Sequence, residues 1–167
     1  MATLMPKENS PFNLLAHITS LSTGETFDLG KRLASFLKKG SVVALKGTLG
    51  AGKTCFTKGI ALGLGITEEI TSPSYTVVLE YEAVVFGETI PVYHIDAYRL
   101  NGDNDFIAIG GEDMVFVGGI SVIEWSERIP YFIPDKAFRV DFEITGDNVR
   151  KIRISQKGNS SPLWDDK

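Results

Sequence analysis

Residues 41–63, SVVALKGTLGAGKTCFTKGIALG, decide the fold. Residues 41–46, SVVALK, are a short apolar run of the kind that makes a buried strand. From Lys53 to about Leu62 the chain reads as a helix, stopped near Gly63 and Gly65. Between the two, Gly47, Thr48, Leu49, Gly50, Ala51, Gly52, Lys53 and Thr54 match G-x-x-x-x-G-K-[ST] at every fixed position. The glycines let the backbone wrap phosphate oxygens closely, with successive N–H groups pointing inward. The helix presents its free N–H groups and positive dipole end to the same anion. Lys53 is placed to reach the β- and γ-phosphates, and the Thr54 hydroxyl to ligate Mg²⁺. By chance this pattern arises in roughly one chain of this length in a hundred, and the strand before it and helix after it lower that further. The expected ligand is ATP with Mg²⁺, cradled by residues 47–55. Cys55 stands near the helix N-terminus, where a thiol pKa is lowered; the alternative is a small buried apolar residue.

Working outward, strands and helices alternate. Residues 12–21 read as a strand. Ser22 and Glu25 form a capping box for a helix whose apolar stripe is Leu29, Leu33, Phe36 and Leu37, ending at Gly40. Residues 75–82 and 89–96 read as strands around a loop with Gly87. Residues 103–117 hold one or two short helices, and residues 120–124 a buried strand. Residues 137–145 and 149–155 are strands joined through Gly146, Asp147 and Asn148, a hairpin signal. The expected fold is α/β, a P-loop NTPase with a largely parallel sheet flanked by helices and antiparallel additions at the edge. Residues 12–155 are expected to form one domain, after a loose leader at 1–11 and before a flexible tail at 156–167. Trp164 in that tail is either an anchor packed on the body or a solvated residue.

Ligands of open α/β sheets sit beyond the carboxyl ends of the strands, so acids at strand ends matter. Asp96 ends the run IPVYHID and Glu124 follows ISVI. Asp96 is assigned to Mg²⁺, directly or through water. Glu124 is assigned to metal-bound water or to polarising the attacking water. The structural alternative for either is an N-cap or an ion pair with Arg99 or Arg128. With Lys53 they make the candidate catalytic set. The segment 71–76, TSPSYT, is either an ordinary turn or a loop that the γ-phosphate orders.

The formal net charge is −4, with lysines and arginines scattered along the chain. That balance argues against a protein that holds nucleic acid unaided. The single cysteine permits no intrachain disulfide and fits a reducing compartment. No signal peptide and no membrane-length apolar run are apparent, so the expected location is the cytoplasm, with no membrane contact.

The pieces LKGTLGAGKTCFTKGIALGLGI, TSPSYTVVLEYE, VYHIDAYRL and VIEWSERIP, in this order, resemble the TsaE (YjeE) family of small bacterial P-loop ATPases over roughly residues 20–155. The resemblance implies an ATPase that supports threonylcarbamoyladenosine formation beside the tRNA anticodon, acting with TsaD and TsaB and meeting tRNA only through them. It implies Ser74 and Thr76 as switch-like hydroxyls and Trp125 beside the nucleotide. His94, Tyr98 and Arg99 would belong to a shared strand-end cluster. Departures are Ser74 where Thr is usual, Ala97 for Leu, Cys55 for Thr or Ser, and a Gly-rich stretch at 101–119 where a more regular helix is expected. The rival readings are a small-molecule kinase of this fold and a nucleotide-gated binding module without significant hydrolysis. The kinase reading is weakened because Arg99 is the only arginine between the P-loop and Glu124. A Ras-like GTPase lacks its N-K-x-D segment.

Overall fold

Two of the strands are apolar on both faces, and they form the centre of the sheet. In the computed structural model, which describes residues 12–159 and 161–164, β2 (Val42–Lys46) and β5 (Ile120–Glu124) are buried almost throughout. The chain order is β1 (Phe12–Ser20), α1 (Thr23–Ala34), β2, α2 (Lys53–Gly63), β3 (Val78–Val85), β4 (Glu88–Asp96), α3 (Asp103–Ala108), α4 (Gly111–Phe116), β5, β6 (Phe138–Ile144) and β7 (Arg150–Lys157). One seven-stranded sheet results, in the order β1-β7-β6-β2-β5-β4-β3. The pairs β6–β2, β2–β5 and β5–β4 are parallel, so the P-loop strand lies inside the parallel block. Antiparallel strands complete both edges: β7 and β1 on one side, β3 on the other. The sequence pointed only to the first of these edges.

The sheet buries a core on each face. Leu29, Leu33, Phe56 and Ile60 of α1 and α2 pack on Val43, Leu45, Val92 and Val122. On the other face Phe106, Val115 and Phe132 cover Val42, Ala44, Ile95 and Ile123. The alternation of β4 assigns its residues to the two faces. Ile90 and Val92 belong to the α2 side, so the period of two puts His94 and Asp96 there as well.

The helix starts are as the local sequence specifies. Ser22 accepts the Glu25 N–H at 3.1 Å, and Glu25 reaches back to the Leu21 N–H at 2.6 Å. The end of α1 is not at Gly40 but at Ala34. Ser35 Oγ donates to the Arg32 carbonyl, and the next N–H groups bond three residues back instead of four, tightening the chain out of the helix. Phe36 is then 42% exposed rather than part of the buried stripe. Between 103 and 117 the chain forms two short helices, as the sequence allowed, separated where Gly110 takes φ +78°.

The leader expected at 1–11 lies outside the described residues, as do positions 160 and 165–167 of the tail. β7 runs through Lys157, beyond the expected boundary at 155. Leu163 is buried and donates its N–H to the Leu15 carbonyl at 3.2 Å. Trp164 is an anchor: Arg32 lies 4.3 Å over its ring and Phe36 packs beside it.

Candidate nucleotide site

A cleft of about 240 Å³ opens at the carboxyl ends of β2, β5 and β4. It is lined by residues 49–55 together with Ser72, Ser74, Asp96, Glu124 and Trp125. The parallel register explains why these meet. Asp96 is paired with Glu124, and Glu124 with Leu45, the residue two before the P-loop begins. A larger cavity of about 450 Å³ lies at the opposite end of β2 and β6. Lys38, Lys39, Lys136 and Lys157 line it, so these lysines are not scattered; Lys39 is paired with Glu88 and Lys157 with Asp135. It contains no acid and no P-loop residue, and size therefore does not locate the chemistry here.

The loop is shaped as a cradle. Gly50 has φ +75° and Gly52 φ +105°, a backbone that side-chain-bearing residues rarely adopt. A Cβ on Gly50 would meet nothing, so its glycine is demanded by conformation and not by space. Arg150 secures the tip: its guanidinium donates to the Gly50 carbonyl at 3.1 Å and to the Gly146 and Val149 carbonyls at 3.0 Å each.

Lys53 is only 4% exposed. Its Nζ donates to the Gly47 and Thr48 carbonyls at 2.6 and 2.9 Å and lies 4.3 Å from the Trp125 ring centroid. Burial lowers its pKa; Glu124, Glu127 and Asp96 act against that in decreasing order. An ammonium so poorly hydrated gains much from an incoming anion. Gly47 and Thr48 do not line the cleft. They border a separate cavity on the other side of the loop, while their carbonyls hold Lys53.

The acids are held individually. The Thr54 hydroxyl donates to both Glu124 oxygens, at 3.0 and 3.1 Å. Glu124 Oε1 also lies 2.8 Å from His94 Nε2. Asp96 Oδ1 caps the 3-10 turn Ala97–Arg99 by accepting the Tyr98 N–H at 3.0 Å. Its other oxygen accepts from the Ser74 hydroxyl at 3.5 Å. The N-cap alternative for Asp96 is thus realised while the residue still lines the cleft. No ion pair with Arg99 or Arg128 occurs among the described residues. Arg99 lies 4.7 Å over the Tyr75 ring and Arg128 5.4 Å over that of Tyr98.

Thr76 is exposed and does not line the cleft. The chain turns at 74–76, closed by the Val77 N–H on the Pro73 carbonyl at 2.7 Å, before β3 begins. Val77 takes φ +67°, a strained conformation for a β-branched residue, and its carbonyl accepts the Asp96 N–H at 2.8 Å. The Cys55 thiol pKa is raised, as the buried reading of this residue implies. Burial outweighs the neighbouring Lys58, and Sγ sits 3.3 Å from the Thr23 carbonyl.

Trp125 takes a left-handed backbone, φ +56°, and packs on Tyr98 with ring centroids 4.9 Å apart. Ser72 lines the cleft from within the 71–76 segment, whereas Arg150, which holds the loop, and Glu127, whose charge acts on Lys53, are residues that sequence reasoning missed. Arg150 lies far along the chain from the loop it holds, and nothing in its local sequence marks it. Among the described residues no group of three or more His, Cys, Asp or Glu side chains could cage a metal. Mg²⁺ needs none: it is held by one or two carboxylates, waters and substrate phosphates. The oxygen donors Thr54, Glu124 and Asp96 fit that demand.

A family model described as threonylcarbamoyl adenosine biosynthesis protein TsaE matches residues 20–152. A Treponema pallidum protein named tRNA threonylcarbamoyladenosine biosynthesis protein TsaE is 41% identical over 136 residues, 81% of this chain and 97% of its own. A Bacillus subtilis protein of the same name is 39% identical over 136 residues, 81% of this chain and 82% of its own. The crystal structure of Bacillus subtilis YdiB matches with a TM-score of 0.69 at 33% identity, covering 86% of each chain.

Proposed function

The chain belongs to the TsaE family, and on that premise we propose that it binds and hydrolyses ATP·Mg²⁺ to support threonylcarbamoyladenosine formation in tRNA, with TsaD and TsaB as partners. The observation that carries the reading is the convergence of the P-loop with Thr54, Glu124 and Asp96 at the ends of three adjacent parallel strands. The P-loop amides and Lys53 receive the phosphates. Thr54 and Asp96, with Glu124 beside them, would hold Mg²⁺, which would neutralise phosphate charge when bound. Glu124 orients the attacking water. Buried behind Thr54, it is better placed to act on a reacting group than to add general affinity. The lone thiol fits a reducing, cytoplasmic setting; among the described residues no helix is long and apolar enough to cross a membrane.

Separate measurement of turnover and affinity tests this. Glu124→Gln and Asp96→Ala should each lower kcat by tenfold or more, about 1.4 kcal/mol of transition-state stabilisation, with smaller losses in ATP affinity. Weakened affinity with unchanged turnover per bound ATP would show that these carboxylates serve binding alone. Transfer of phosphate to a small-molecule acceptor in place of water would favour the kinase reading.

A further inference from the structure

His94 has no role in the reading above, yet it is the most deeply buried titratable side chain at the site. It is 2% exposed, and its Nε2 faces Glu124 Oε1 at 2.8 Å. Its Nδ1 is also buried and has no hydrogen-bond partner. These facts select a tautomer. A carboxylate only accepts hydrogen bonds, so the short contact requires the proton on Nε2. A proton on Nδ1 would leave a buried N–H unpaired and set two acceptors against each other at 2.8 Å. The Nε2–H form leaves only an unpaired acceptor.

The second observation is a symmetry. Thr54 Oγ1 is 3.0 Å from one Glu124 oxygen and 3.1 Å from the other. One hydroxyl proton shared between two equivalent acceptors does not define the rotation of the carboxylate. His94 bonds Oε1 alone and does define it, leaving Oε2 with free acceptor capacity. The Thr54 bond is moreover conditional, because the same hydroxyl is the one assigned to Mg²⁺. We propose that His94 is a positioning residue: it fixes the orientation of the Glu124 carboxylate for hydrolysis and remains its anchor when Thr54 is engaged elsewhere. This rests on the ATPase reading.

The test uses the full chain with TsaD and TsaB, in wild type, His94→Leu, His94→Gln and Glu124→Gln. His94→Leu keeps bulk and apolarity but removes the donor. It should lower kcat about tenfold or more while KM for ATP stays within about threefold. His94→Gln, which retains an N–H donor, should recover at least half of that loss on a logarithmic scale. In ¹⁵N-histidine-labelled wild type, one imidazole should carry its proton on Nε2, and its Nε2 resonance should shift in Glu124→Gln. Full turnover by His94→Leu, equal impairment of the Leu and Gln variants, or a protonated Nδ1 would overturn the proposal alone. Wild type without turnover would overturn the ATPase reading and the proposal together. Turnover unaffected by Glu124→Gln would show that Glu124 itself is misassigned, and His94 with it.

Discussion

Cys55 shows two effects of one location in competition. The N-terminus of α2 favours a thiolate through the helix dipole. Half-burial against the Thr23 carbonyl disfavours any charge there, and it outweighs the nearby Lys58 as well. A raised pKa means less thiolate at a given pH. Cys55 should therefore react with iodoacetamide several-fold more slowly than free cysteine at pH 8, with the rate climbing as pH rises toward the shifted pKa. Reaction faster than free cysteine would mean that the dipole prevails. Lys53 follows the same rule in the opposite sense. Burial disfavours its charge, while two backbone carbonyls, an indole face and the negative charges of Glu124, Glu127 and Asp96 act against that.

The pairing of α1 and α2 sets the P-loop helix on the sheet, and glycines set that pairing. A Cβ on Gly59 would come within 2.0 Å of the Phe27 carbonyl oxygen, and one on Gly30 within 2.1 Å of that of Phe56. The two helix backbones thus touch directly. Alanine is favoured over glycine inside a helix by about 1 kcal/mol, but here the added methyl overlaps backbone atoms that move only with the helix. Overpacking of this kind costs about 1–3 kcal/mol beyond any gain. Gly59→Ala should lower the melting temperature by several degrees and weaken ATP binding as the P-loop shifts. Gly24→Ala is the control. Its nearest neighbour would be the Ser22 hydroxyl at 3.7 Å, an ordinary contact, so that variant should melt no lower than wild type. A Gly59→Ala protein as stable as wild type would show that the helix pair separates without penalty.

At the scale of the whole molecule, an acidic chain is asked to serve tRNA. Four lysines do gather at one cavity, but two are paired with acids and the cavity lies at the far end of the sheet from the cleft. The cleft mouth carries different chemistry. Leu49 and Tyr75 are 84% and 87% exposed, and Tyr98 is 49% exposed. Tyr75 belongs to the turn that reaches Asp96 through Ser74 and Val77. A change at Asp96 on phosphate binding is thereby linked to an exposed aromatic side chain, the type enriched at protein interfaces. Binding to TsaD and TsaB should accordingly depend on nucleotide, and their presence should raise a weak intrinsic ATPase activity substantially. Pull-downs and ATPase assays run in parallel with ATP, ADP and no nucleotide, for wild type and Lys53→Ala, decide this. Lys53→Ala should lose the nucleotide dependence while remaining folded by circular dichroism. Equal binding in every state with no stimulation would reject the mechanism.

The P-loop, the Ser22 cap, a turn containing Gly87, and the acids closing β4 and β5 were legible in the amino-acid sequence by itself; that the turn is only two residues long, Phe86 and Gly87, was not. Each is decided by interactions within a few residues: a glycine's freedom, a hydroxyl facing an open N–H, the period of two along a strand. The end of α1 was not legible, because Gly40 is a stop signal whether or not Ser35 has already drawn the chain out of the helix. Tertiary structure alone decided that His94 and Thr54 share Glu124, and that Arg150 holds Gly50. Those partners depend on the order of strands in the sheet. β2 and β5 are apolar on both faces, so hydrophobic patterning makes them interchangeable as neighbours. Only the packing of α2 against α1, and of both on the finished sheet, selects the order that brings the strand ends together.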